Sequence, residues 1–132
     1  FRSLQNFGFA TLLNDSDKEG INDIIKIAER IDAQVKLLHV LRKENREIVP
    51  LIKKWKDYFN NDRVKIYTVL NPNLEDSVFY FIDEHLIDIM CIVKRQLNFF
   101  ERLFTSRLSK QLSYHSDIPV LILPQPTEKK YL

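Results

Sequence analysis

Apolar runs alternate with stretches of helical periodicity along this chain, and that alternation constrains the fold more than any other feature. "FGFATLLN" (7–14) reads as a first strand, "QVKLLHVL" (34–41) as a second and "VKIYTVL" (64–70) as a third. "IDIMCIV" (87–93) and "IPVLILP" (118–124) read as a fourth and a fifth. Between them the apolar residues recur at spacings of three and four, the mark of one helix face. Ile21, Ile24, Ile25, Ala28 and Ile31 form the first stripe, and Ile48, Leu51, Ile52, Trp55 and Phe59 the second. Leu74, Val78, Phe81, Ile82 and Leu86 form the third. The fourth strand is apolar at every other position on both faces, as a strand covered on both sides should be. A β–α order repeated in this way predicts an α/β fold: a parallel sheet with right-handed crossovers and helices on both faces.

Helix starts are marked as well. Ser16 and Glu19 have the spacing of a capping box, Pro50 fits a first helical turn, and Asn73 can cap the third helix. The chain of 132 residues is read as one domain over 1–126 with a polar tail, 127–132. Its apolar fraction of 45% can fill a core without disulfides or metal. It begins at Phe1 rather than Met, which suggests an excised piece or a preceding domain.

Charge and cysteine usage narrow the function classes. Twenty basic and 18 acidic residues leave a net charge of +2, without the basic excess of a dedicated nucleic-acid binder. No apolar run approaches the roughly 20 residues of a membrane span, so neither membrane nor nucleic acid is expected as a partner. Cys91 lies inside the fourth apolar run and is read as a buried, inert thiol. With no second cysteine to pair with, a reducing, cytoplasmic setting is expected.

Catalytic constellations are poor. The sequence holds no metal-ligand spacing, no nucleophile elbow and no glycine-rich phosphate loop, and no nucleophile–base pair is suggested. The chain is therefore expected not to be an enzyme. His39, His85 and His115 are read as structural, the latter two near helix C-termini.

In a sheet of this kind ligands bind at the carboxyl ends of strands, where strand order reverses. That places a candidate site at the ends of strands 1 and 4, with Asn14, Asp15 and Ser16 on one side and residues 94–98 on the other. "NDSDKE" could coordinate a cation, contact a ribose or simply cap a helix. In "VKRQLNFFERLFTSRLSK" (93–110), Asn98 and Glu101 have capping-box spacing. Phe99, Phe100, Leu103 and Phe104 form an apolar stripe that either packs on the sheet, covers the strand ends or meets another domain. Lys94, Arg95, Arg102, Arg107 and Lys110 around it make either a solvated face or an anion site.

"AQVKLLHV" at strand 2, "SRLSKQLSYHSDIPVLIL" at the end and the overall order of elements resemble the universal stress protein family over nearly the full length. The resemblance implies a Rossmann-like, adenine nucleotide alpha hydrolase-like sheet of order 3-2-1-4-5. Many members of that family bind ATP through a Gly, two residues, Gly, nine residues, Gly-Ser motif. Anchored on His115 and Pro119, its glycines fall on Val93, Gln96 and Ser106 and its serine on Arg107, so all three glycines are missing. The family's nucleotide-contacting acid at the end of strand 1 falls approximately on Asn14.

The resemblance thus implies a regulatory or dimerisation domain of the stress response that does not bind ATP in the family manner, and no cofactor is expected. The alternative is a module that holds ATP, another adenine nucleotide or another anion through Arg95, Arg107 and helix amides. The candidate contact residues are Asn14, Val40, Arg95, Ser106 and Arg107. A homodimer or tandem-domain partner is expected through strand 118–123, whose apolar edge needs cover.

Overall fold

A computed structural model describes residues 4–102 and 118–124. Five strands form one parallel sheet, as the sequence pattern predicts, in the order β3-β2-β1-β4-β5 that the family resemblance implies. The strands are β1 (Asn6–Ala10), β2 (Gln34–Leu41), β3 (Val64–Leu70), β4 (Ile89–Val93) and β5 (Val120–Leu123). The helices are α1 (Ser16–Ile31), α2 (Ile48–Tyr58) and α3 (Leu74–Glu84). After β4 come a 3-10 turn, Lys94–Gln96, and a helix of which residues 97–102 are described.

Each face of the sheet has its own core. On one, Ile21, Ile24 and Ala28 of α1 and Trp55 of α2 close over Phe7, Phe9, Val35 and Leu37. On the other, Val78, Phe81 and Ile82 of α3 and Phe100 close over Leu38, Met90 and Ile92. Fully burying one such side chain contributes about 1.5–3 kcal/mol, so the two layers supply most of the drive to fold. Gly8 lets the second layer approach the central strand: a Cβ there would stand 2.9 Å from Ile87 Cγ2 and 3.1 Å from Met90 Sδ. Lys18 joins α1 to α2 by sitting 4.4 Å from the Tyr58 ring centroid.

Several local expectations shift. β1 ends at Ala10 rather than Asn14, because the Leu12 amide turns to the Asp17 carboxylate instead of continuing the ladder. The capping box on Ser16 does not form: the Ser16 hydroxyl donates to Asn14 Oδ1 at 2.7 Å, and Asp15, at the cap position, accepts no capping hydrogen bond from a helix amide. Asn73 does cap α3, accepting from the Asp76 amide at 3.0 Å. Asn98 is already helical, one residue past the helix start at Leu97, and cannot cap it. Ile31 and Leu86 drop out of the buried stripes, at 45% and 60% exposure; Ile87 is buried instead. Left-handed backbone is taken by Leu13, Asp32 and Leu86 and by neither glycine.

Candidate functional site

The carboxyl ends of β1, β2 and β4 meet α3 and the helix beginning at Leu97 around an open cleft of about 490 Å³. That volume falls within the usual range for small-molecule sites. Ala10, Leu38 and Val40 form its floor, Leu74, Val78, Phe99 and Phe100 its walls, and Thr11, Leu12, Arg42, Arg95 and Gln96 its rim. Phe100 is buried in the core and meets half-buried Phe99 edge-on at 5.2 Å. These two aromatics wall the cleft and leave it open; Phe104 lies outside the described residues.

The polar end of the cleft is organised by Asp17, a carboxylate with no exposed surface. Its Oδ2 accepts from the Thr11 hydroxyl at 2.7 Å and from the Leu12 amide at 3.2 Å. Its Oδ1 accepts from Arg95 Nη2 at 2.7 Å. Thr11 Oγ1 in turn accepts from the Leu13 amide at 3.0 Å, which fixes the turn in which Leu13 has a φ of 60°. Buried His39 donates from Nδ1 to the Thr11 carbonyl at 2.9 Å, because a carbonyl oxygen can only accept. A hydroxyl, a backbone amide and a guanidinium thus converge on one internal anion. They are the donor types an incoming phosphate would need.

Gln96 works beside it. Its Oε1 accepts from the Val93 amide at 3.0 Å and its Nε2 donates to the Ala10 carbonyl at 3.1 Å. The side chain ties the end of β4 to the end of β1 across the switch point of the sheet. Val93 is fully buried, and its Cγ1 lies 3.5 Å from where a Cβ on Gly20 would be. The branched side chain therefore packs toward α1.

Of the residues singled out from the sequence, Val40 and Arg95 line the cleft. Asn14 is exposed in the β1–α1 loop and holds Ser16. Ser106 and Arg107 lie outside the described residues, as does His115. Sequence reasoning missed Asp17, Thr11 and Arg42. Asp17 carried a signal: with Ile21, Ile24 and Ala28 it falls at spacings of four, three and four, which puts an acid on the buried face of α1.

Asp15 of "NDSDKE" pairs with Lys18 at 3.0 Å. No cluster of three or more potential metal ligands occurs among the described residues. Burial pushes the Cys91 thiol up to about 12, so it stays protonated at neutral pH. None of the described helices is long and apolar enough to cross a membrane.

No family model matches the chain, and no curated protein sequence matches it. Solved structures do. A universal stress protein in complex with cAMP superposes with a TM-score of 0.66 at 16% identity, over 93% of this chain and 98% of its own. One from Archaeoglobus fulgidus in complex with dAMP gives 0.62 at 13% identity, over 91% of this chain and 97% of its own. Another, from Archaeoglobus fulgidus DSM 4304, gives 0.63 at 7% identity, over 92% of this chain and 44% of its own. Identities this low speak for architecture, and together with the five-stranded parallel sheet of order β3-β2-β1-β4-β5 they show that this chain has the universal stress protein fold.

Proposed function

We propose that the chain is a universal-stress-protein-like regulatory and dimerisation domain of the cytoplasm, one that acts without turnover and does not take ATP in the family manner. The observation that carries this reading is the buried Asp17 carboxylate. It already engages Thr11, Leu12 and Arg95 at the switch point of the sheet. A triphosphate arriving there would meet a buried negative charge and would have to displace it. Gln96 adds a side chain where the motif needs a bare glycine. Calorimetric titration with magnesium ATP, AMP and cAMP tests it. No saturable heat is expected with ATP, and saturable ATP binding would overturn the reading.

A competing reading is an adenine-nucleotide or anion module using Arg95, Arg107 and helix amides. The open cleft over Val40 favours it, as do fold relatives solved with cAMP and dAMP. Saturable AMP or cAMP heat that disappears in Arg95→Ala is the result that selects it.

A further inference from the structure

The polar rim of the cleft leaves little for a ligand to use. The Thr11 hydroxyl donates to Asp17, the Arg95 guanidinium pairs with Asp17, and both ends of the Gln96 amide are bound to backbone. Arg42 differs. It sits at the end of β2, exposed, and makes no hydrogen bond or ion pair with any described residue. Below it the floor and walls are aliphatic and aromatic. A ligand that fits this accounting has an apolar body for the floor and one anionic group for Arg42. A purine base would bring ring nitrogens and an amino group; Arg42 and the Arg95 N–H groups not spent on Asp17 can only donate, so among these side chains the amino group finds no acceptor, and unmet polar groups lose affinity on burial.

We infer that the cleft binds a small aromatic monocarboxylate, its ring against Phe99 and the Val40 floor and its carboxylate on the Arg42 guanidinium. The edge-on pair of Phe99 and Phe100 offers the ring geometry that aromatic ligands favour. A guanidinium fork matches one carboxylate with two parallel hydrogen bonds. This assignment rests on the reading that ATP is excluded from the same cleft.

The test is titration of the full chain with naphthoate, with naphthalenemethanol as the uncharged control and ATP in parallel, followed by calorimetry and by methyl shifts of Val40. Naphthoate is expected to saturate and to move the Val40 resonances. Arg42→Ala should weaken it about tenfold, the loss of one charge-assisted contact, and Arg42→Lys should recover part of that. Arg42 is exposed, so these variants keep the fold. Equal binding of naphthalenemethanol, or naphthoate binding indifferent to Arg42, overturns the assignment. Absence of naphthoate binding together with absence of ATP binding overturns it and leaves the exclusion of ATP standing. Saturable ATP binding overturns both.

Discussion

Arg95 Nη2 lies 2.7 Å from Asp17 Oδ1, across 78 positions of sequence, and joins the turn after β4 to the first turn of α1. Asp17 has no exposed surface, whereas the Arg95 side chain keeps 30% of its own. The two partners are therefore unequal. Removing Asp17 leaves a hydroxyl, an amide and a guanidinium without their acceptor; removing Arg95 leaves a carboxylate that still accepts two hydrogen bonds. Asp17→Ala is expected to cost about 3 kcal/mol and Arg95→Ala about 1–2 kcal/mol, read from urea unfolding midpoints. Asp17→Ser should also open an anion site that the native chain has filled itself, seen as a rise in Tm with added pyrophosphate. An unchanged response to pyrophosphate would show that Asp17 is not what keeps anions out.

Gln96 makes a second, separable prediction. Its two bonds to backbone hold the ends of β1 and β4 together. Gln96→Ala should cost about 1–2 kcal/mol, the net of two neutral hydrogen bonds. Gln96→Glu should cost more, because a carboxylate can still accept from the Val93 amide but confronts the Ala10 carbonyl with a second acceptor. Equal losses for the two variants in thermal unfolding would rule out the clasp.

The sequence carried the architecture because burial repeats along it with the period of each element. β2 and β3 have the predicted bounds, and Trp55, Val78 and Phe81 are as buried as their spacing implies. The site was harder to read. Asn98 mimics a capping residue, but the turn after β4 is closed by Gln96 two residues earlier. In the Thr11–Asp17–Arg95 cluster Arg95 comes from 78 positions away, and no local periodicity links it to Asp17. The end of β1 was misjudged for the same reason. Leu12 and Leu13 look like strand residues, and only the buried acid on the next helix draws their backbone aside.

Left-handed backbone on leucine offers a gain in stability. Leu86 has a φ of 53° and is 60% exposed, so its side chain contributes little while its Cβ strains the turn. Leu86→Gly relieves about 1–2 kcal/mol of strain and loses about 0.5–1 kcal/mol to the greater freedom of the unfolded chain. A net stabilisation of about 0.5 kcal/mol is expected in chemical denaturation. Leu13 has nearly the same φ, at 60°, but is only 4% exposed. There Leu13→Gly sacrifices a buried side chain and should destabilise by about 2 kcal/mol or more. Opposite signs at two positions of like backbone would separate strain from burial.

The β5 edge bears on assembly. Among the described residues β5 pairs with β4 alone, and Val120 and Ile122 are 37% and 47% exposed. A free apolar edge recruits another strand. The expected result is a dimer by sedimentation velocity in the native chain and a monomer for Ile122→Lys. Leu121→Lys would be uninformative, since Leu121 packs into the α1–α2 core. A native chain that sediments as a monomer at high micromolar concentration excludes this interface.

His85 closes α3 and lies 4.0 Å from the Tyr67 ring, while its carbonyl accepts from Lys36 Nζ at 3.0 Å. Burial holds its imidazole below the usual value of 6.5, the neighbouring Lys36 charge adds to that, and Glu84 opposes it. The sign follows from proton counts. Near pH 6.5 the unfolded chain takes up a proton that the folded chain resists, so stability must fall as pH falls through 6.5, until the folded imidazole also titrates. His85→Phe keeps a ring on Tyr67 and removes the proton. Its Tm should therefore lose part of the native decline between neutral pH and the point where the carboxylates begin to titrate. Parallel Tm profiles for the two proteins across that interval would show that His85 is no part of the acid response.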